Sequence, residues 1–396
     1  MSGELPRMGI EAQEVRPGSA EGRRLDFGFM RAALALARRG LGTVWPNPAV
    51  GCVLVKRGHV VGRGWTQPGG RPHAETEALR RAGEAAHGAT AYVSLEPCCH
   101  WGKTPPCTGA LIGAGVRRVV VGIEDPDPRV AGDGIRQLRA AGLAVEIGLC
   151  EMEATEVNTG FLNRLRLGRP LVTLKLATSL DGRIATAGGE SRWISGPAAR
   201  ERTHAFRADH DAILVGIGTV LADDPQLTCR LPGLDDRSPV RVVIDRQLRI
   251  PAAARLIADA QLVPTWIVTL RSVDPARREA LLARGVILID VDPDPEGQIN
   301  LAAALEAIGA RGITRLLVEG GAGLGAALIR ARLVDRLAWV HAPLLLGGDG
   351  VPAIAALGLP GLGDAPHFER LSTETLGDDM LTIFRVGPTP ATHAES

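Results

Sequence analysis

Short apolar runs alternate with amphipathic stretches along most of the chain, and Gly, Pro or charged residues bracket each run. Residues 49–55 and 59–65, split by Lys56-Arg57-Gly58, read as a hairpin. Residues 90–95, 116–123 and 143–147 read as further strands. Helices are expected over 27–39, capped by Asp26 and stopped at Gly40, and over 73–86, 107–113, 134–141 and 151–167. Strands alternating with helices imply an α/β unit whose mostly parallel sheet is covered on both faces. Gly168-Arg169-Pro170 breaks the last helix and is the expected domain boundary. A second α/β series follows, with strands expected at 171–177, 212–215, 240–244, 265–269, 286–289, 315–319 and 336–340. A last edge strand is expected at 379–386.

This pattern gives a polar, disordered N-terminal segment over 1–24, domains over 25–168 and 169–387, and a flexible tail over 388–396. The 396 residues are enough to bury two cores. With a net charge of +1 and only 3% aromatic residues, no basic, aromatic-lined surface is expected, and so no nucleic-acid partner. No run approaches about 18 uninterrupted apolar residues, so no membrane span is expected. The first 24 residues lack the apolar core of an export signal. The cysteines Cys52, Cys98, Cys99, Cys107, Cys150 and Cys229 suit a reducing cytoplasm, the expected location, where thiolates stay free for metal.

The chemistry begins at His73-Ala74-Glu75, Pro97-Cys98 and Cys107. One imidazole and two thiolates give zinc three protein ligands and leave the fourth tetrahedral position for water, which marks a catalytic site. A His-x-Glu segment followed by a Pro-Cys segment is the pattern of zinc nucleobase deaminases, in which the glutamate carries protons and does not bind metal. The usual second half is Pro-Cys-x-x-Cys, whereas eight residues separate Cys98 from Cys107 here. The competing reading is a closed zinc knuckle with His100 as fourth ligand, and it leaves Glu75 without a role.

That longer spacing, with His100, Gly102 and Thr104-Pro105-Pro106 inside it, resembles the deaminase half of the RibD family of bifunctional riboflavin-biosynthesis deaminase/reductases. The second half of the chain carries Lys175-Leu176-Ala177-Thr178-Ser179-Leu180-Asp181-Gly182-Arg183, Ser191-Arg192-Trp193-Ile194-Ser195, Thr219 to Pro225 and Glu319-Gly320-Gly321. Each alone is weak, but their order and spacing resemble the reductase half of the same family. The resemblance spans about Leu25 to Val386. It implies a cytidine-deaminase-like three-layer α/β/α domain followed by a dihydrofolate-reductase-like α/β domain.

The resemblance also implies site residues. Zinc is expected on His73, Cys98 and Cys107, with Glu75 as catalytic proton carrier; Cys99, where the family commonly has serine, is not an expected ligand. Asn47 matches a segment lining the pyrimidine pocket. Ala177, Trp193, Thr219, Asp223 and the run Gly321, Ala322, Gly323, Leu324, Gly325, Ala326 and Ala327 match positions that contact NADPH. Ser191, Arg207, Leu227, Arg230 and Glu319 match substrate-contacting positions, and Lys175 matches a catalytic lysine beside the reacting sugar. Arg207 and Arg230 suit a bidentate clamp on the substrate phosphate. Arg246 stands where the family has a serine that touches the cofactor; that contact is not carried over, although an arginine there suits a 2′-phosphate. The expected reactions are zinc-dependent hydrolysis of the 2-amino group of 2,5-diamino-6-(5-phosphoribosylamino)pyrimidin-4(3H)-one, then NADPH reduction of the ribosyl group to give 5-amino-6-(5-phosphoribitylamino)uracil. The expected partner is this small pyrimidine ribonucleotide, and a homo-oligomer is implied.

Other readings are weaker. Gly321-x-Gly323-x-x-Ala326 also fits a Rossmann fingerprint, but no βαβ unit continues with an acidic residue about 20 positions on. A nucleic-acid-editing zinc deaminase with an unrelated appended domain needs a basic, aromatic-lined groove. A non-catalytic zinc-binding scaffold is the remaining alternative.

Overall fold

A computed structural model describes residues 19–387. The expectations for 1–18 and 388–396 lie outside the described residues. The chain forms two compact units, one holding the residues up to Gly40 plus Asn47–Asn158, the other Leu41–Pro46 plus everything from Thr159.

The first unit contains α1 (Ala20–Arg38), β1 (Gly51–Lys56), β2 (His59–Trp65), α2 (Ala74–Ala82), β3 (Thr90–Leu95), α3 (Cys107–Gly113), β4 (Arg118–Ile123), α4 (Asp133–Ala140), β5 (Ala144–Ile147) and the first half of α5 (Glu151–Leu167). Its sheet order is β2-β1-β3-β4-β5. Only β3, β4 and β5 run parallel. The sheet is therefore less parallel than expected. Arg57 and Gly58, both at positive φ, fold β2 tightly back on β1. The crossover through α2 then lays β3 on the far side of β1, antiparallel to it.

The N-terminal helix also starts earlier than expected. Residues 20–24 are helical, and the Ser19 side chain caps them by accepting from the Gly22 N–H at 3.0 Å. Asp26, expected as the cap, turns inward instead. It accepts two bonds from Arg118, at 2.7 and 3.0 Å, and one from the Tyr92 hydroxyl. Burial favours its neutral form, but Arg118 and Tyr92 hold its carboxyl below the usual range. The face of α1 carrying Met30, Ala33, Leu34 and Ala37 is buried, and Gly51 of β1 lies beneath the Ala33 carbonyl.

The second unit contains β6 (Leu171–Thr178), β7 (Arg183–Ala185), α6 (Pro197–Asp209), β8 (Ala212–Gly216), α7 (Ile217–Asp223), β9 (Val240–Ile244), α8 (Arg255–Ala258), β10 (Thr265–Leu270), α9 (Pro275–Leu282), β11 (Ile287–Val291), α10 (Leu301–Ala310), β12 (Arg315–Val318), α11 (Ala322–Arg330), β13 (Arg336–His341), β14 (Val351–Pro352), β15 (Phe368–Leu376) and β16 (Asp379–Val386). The main sheet runs β11-β10-β9-β8-β12-β6-β13-β16-β15. The strands from β11 to β13 are parallel, and β16 and β15 close the sheet antiparallel. Strand 379–386 exists as expected but is not the edge, because β15 pairs outside it. β15 is polar and exposed on both faces, so it leaves no alternating apolar signal.

The division between units falls inside α5, ten residues before the boundary expected at 168/169. The second half of this helix packs within the second unit. Gly160 lies under the Thr314 carbonyl, and the Arg164 Nε donates to Gly309 O at 2.8 Å. Leu41–Pro46 joins the same unit, with Arg237 donating to Leu41 O at 2.9 Å.

Strands β8 to β11 step outward in order. The chain then returns to insert β12 between β8 and β6, and β13 lands beyond β6. Such a reversal marks the carboxyl ends of β6, β8 and β12 as the place where an open α/β sheet binds a ligand. Branched apolar side chains fill both faces of the sheet: Val172, Leu174 and Leu176 enter one core, and Ile213, Val215 and Val340 the other.

Gly51→Ala tests the packing of the first unit. A Cβ there overlaps the Ala33 backbone, which has no room to retreat. We expect destabilisation of about 1–3 kcal/mol or more, read as a lower urea midpoint by circular dichroism.

Candidate active sites

The first site is built where strands hand over to helices. His73 is the N-cap of α2, Glu75 lies in that helix's first turn, Cys98 follows β3, and Cys107 opens α3 after Pro106. His73 Nδ1 lies 3.5 Å from Cys98 Sγ and 3.3 Å from Cys107 Sγ. The three donor atoms are all within 4.8 Å of one another. Tetrahedral zinc, with bonds of about 2.0–2.1 Å to nitrogen and 2.3 Å to sulfur, holds such atoms about 3.5 Å apart. The donor set therefore fits zinc.

The two thiols face each other, so that each sets the charge of the other. The Cys107 thiol, then His73 and the Cys107 N–H, bond to Cys98 and bring it down to about 4 against its burial. Cys107 faces that thiolate and is pushed well up. Zinc takes the place of the retained proton. Glu75 is 3% exposed and stands outside the donor cluster. Burial raises its carboxyl to about 7, with His73 opposing.

Cys99 points away, its Sγ 3.6 Å from the Arg129 carbonyl oxygen. Asn47 packs against Gly70, whose φ of +84° leaves no space for a side chain, in the turn that leads to His73. Two supporting residues escape the sequence reading. Arg71 bonds Thr104 inside the Cys98–Cys107 loop. Buried Glu96 accepts from the N–H groups of Asp125 at 3.1 Å, Gly132 at 3.0 Å and Ile135 at 3.1 Å, fixing the loop behind Cys98. The signal for Glu96 is an acid at the end of a buried strand, directly before Pro97-Cys98.

The second site sits at these strand ends. Lys175 on β6, Arg207 on α6 and Glu319 after β12 converge there, each within electrostatic reach of the others. Burial pushes the Lys175 ammonium below the usual lysine value, and Glu319 opposes this. Burial works against the Glu319 carboxylate too, but Arg207 and Lys175 hold it low.

Several expectations change here. Arg207 does not present a free fork for phosphate: its Nε and Nη2 each donate to Glu319 at 2.8 Å, and its Nη1 to Thr228 O at 3.0 Å. A buried glutamate left unpaired is strongly unfavourable, so the arginine is committed to it. Arg230 is exposed, and its backbone N–H is held by His204 Nδ1 at 3.2 Å. The Leu227 side chain is buried in the core, which leaves its backbone, at φ +57°, as the part able to face a ligand.

Gly321 caps α11 with no side-chain partner, and Thr219 Oγ1 lies 4.0 Å from where a Cβ on Gly321 would stand. A Cβ on Gly323 would meet nothing within 4 Å. There is room beside the first turn of α11, whose N-cap supplies no side-chain partner, and such a helix start suits a dinucleotide phosphate. Gly325 and Ala326 do not face it. Both are buried, with Gly325 against Leu174 and Ile354, because a helix returns to its inner face after one turn. Ala322, Leu324 and Ala327 lie outside that buried face, and Ala177 lies on β6 opposite Val340. Arg192, 4.0 Å from Asp223, brings the exposed segment carrying Ser191 and Trp193 up to the end of α7.

A family model described as the RibD C-terminal domain matches residues 170–382. One described as the cytidine and deoxycytidylate deaminase zinc-binding region matches 24–123. Escherichia coli (strain K12) riboflavin biosynthesis protein RibD is 45% identical over 363 residues, covering 89% of this chain and 97% of that one. The chain belongs to the RibD family. The Aquifex aeolicus RibD is 39% identical over 92% of this chain and 99% of its own. The solved structure of Acinetobacter baumannii RibD superposes with a TM-score of 0.83 at 40% identity, covering 92% of this chain and 100% of that one. The Thermotoga maritima diaminohydroxyphosphoribosylaminopyrimidine deaminase/5-amino-6-(5-phosphoribosylamino)uracil reductase superposes with a TM-score of 0.81 at 33% identity, covering 92% and 99%. As a RibD protein the chain is a bifunctional deaminase and reductase that uses zinc in its first unit and NADPH in its second. The second unit is the RibD partner domain, so an editing deaminase with an unrelated appendage is not favoured.

Metal analysis of variants checks the donor set. Cys99→Ser should keep one zinc per chain, and Cys107→Ser should lose it. Zinc lost from Cys99→Ser would show that the ligand assignment is wrong.

Proposed function

We propose that the first unit hydrolyses the 2-amino group of 2,5-diamino-6-(5-phosphoribosylamino)pyrimidin-4(3H)-one, and that the second reduces the ribosyl group of the product to ribityl. The observation that carries the first half is the donor triangle of His73, Cys98 and Cys107 beside a buried acid that binds no metal. Zinc in that triangle supplies a Lewis acid, which lowers the pKa of water from 15.7 to about 7. Glu75 takes the proton of the attacking water, passes it to the ring nitrogen, and later protonates the departing ammonia. Asn47 orients the pyrimidine from the neighbouring turn. In the second unit NADPH supplies the hydride. Lys175 donates the proton that the sugar oxygen needs as the C1′–O bond opens. Glu319 holds the sugar side of the substrate, and Arg207 fixes Glu319. Arg230, exposed at the edge of the Arg207–Glu319 pair, binds the phosphate together with Ser191 and the Leu227 backbone.

The expected cytoplasmic location agrees with the free thiols. A homo-oligomer is the assembly that the family resemblance implies.

Glu75→Gln keeps the shape and removes the proton carrier. Zinc should stay bound, ammonia release should fall about 10²–10⁴-fold, and NADPH oxidation by supplied deaminated intermediate should persist. Deamination at near the wild-type rate would reduce Glu75 to a helix-start residue.

Lys175→Met should abolish NADPH oxidation and leave ammonia release intact, because the two sites share no residue. The lysine must be protonated to act as an acid, and burial lowers its pKa. Wild-type reduction should therefore fail, as pH rises, earlier than an ordinary lysine would allow. An unchanged pH–rate profile in Lys175→Met would overturn its role.

A further inference from the structure

Helix α6 carries Arg200, His204 and Arg207 at spacings of four and three, so all three share one face. Each holds a different stretch of backbone. Arg200 Nη1 donates to Ser195 O at 2.7 Å. Arg207 Nη1 donates to Thr228 O at 3.0 Å, alongside its two bonds to Glu319. Between them, His204 accepts the Arg230 N–H on Nδ1 at 3.2 Å.

The loop over residues 227–230 is therefore tied residue by residue. The Leu227 side chain is buried in the core, and Thr228 O is held by Arg207. The Cys229 N–H donates to Ser238 Oγ at 3.1 Å, and its Sγ donates to His204 O at 3.5 Å. The His204 ring takes the last of these residues, whose guanidinium is exposed at the edge of the Arg207–Glu319 pair.

Nδ1 can accept only while it carries no proton, which puts the imidazole proton on Nε2. Burial, then the charges of Arg207 and Arg230, push the imidazole below the usual histidine value, and Glu319 opposes them. His204 thus stays an acceptor near neutral pH. The bond lies close to solvent, where a freed N–H finds water, so its loss costs the fold little. What its loss removes is the fixed backbone from which a long, flexible arginine side chain reaches out.

We propose that His204 is a positioning residue of the second site: by accepting the Arg230 N–H it fixes where the Arg230 guanidinium meets the phosphate of the substrate. The inference rests on Arg230 as a phosphate ligand. His204 acts through it, with no part in hydride or proton transfer.

Steady-state NADPH oxidation by the full chain, with the deaminated intermediate supplied, tests this. His204→Leu keeps the bulk and removes the acceptor. Its KM for the intermediate should rise about tenfold, as for one weakened charge-assisted bond, with kcat and melting temperature held. His204→Asn, whose Oδ1 stands where Nδ1 does, should recover the wild-type KM. In an Arg230→Ala background His204→Leu should add nothing, because both changes act on one contact. A wild-type KM in His204→Leu, with KM raised in Arg230→Ala, would overturn the positioning role and leave the phosphate reading standing. An unchanged KM in Arg230→Ala would sink both. A fall in kcat alone, fully additive losses, or no recovery in His204→Asn would each refute action through Arg230. Should His204→Leu fail to fold, His204→Ala takes its place under the same criteria.

Discussion

A parallel sheet covered by helices is closed to solvent except at its strand ends, and that constraint places the chemistry in both units. At those ends each helix begins with N–H groups that no residue of its own turn can satisfy. His73 caps α2, Cys107 opens α3, and Gly321 caps α11. The cysteine that opens α3 works as a thiolate, and a nucleotide phosphate is the group proposed for the start of α11. Unpaired N–H groups and the helix dipole favour such charge. Where a helix continues past its first turn, as at Gly325 and Ala326, it returns to packing.

The two buried glutamates show how surroundings assign roles to one residue type. Glu75 is desolvated beside thiols, and its carboxyl rises to about 7. A group poised there gives and takes protons readily. Glu319 is also enclosed, but a bidentate Arg207 and the nearby Lys175 keep it ionised. It stands as a fixed charge, and the proposed proton donor, Lys175, lies within its electrostatic reach. The same logic explains why Arg207, enclosed with Glu319, is committed to it, while Arg230 stays exposed.

The chain's apolar punctuation makes most elements legible. Strand 90–95 and helices 107–113 and 151–167 match the sequence pattern to the residue, because Gly, Pro and polar residues end them abruptly. The start of α1 departs from the pattern because its cap, Ser19, lies in a polar stretch that carries no core signal. β15 is invisible for the same reason. The unit boundary differs because α5 is one uninterrupted helix whose two halves pack in different cores, a fact its local pattern does not encode.

By itself the sequence determined the ligand types of the zinc site, a separate acid beside it and the two-part organisation, since residue identity and spacing carry that chemistry directly. It also marked Arg246 as a departure from its relatives. Tertiary structure alone decided that Cys99 faces Arg129, that Arg207 is used on Glu319, and that Leu227 offers only its backbone. Those outcomes depend on what lies opposite each side chain across strands and helices far apart in sequence. Burial and pairing are set by such neighbours, and no local spacing contains them.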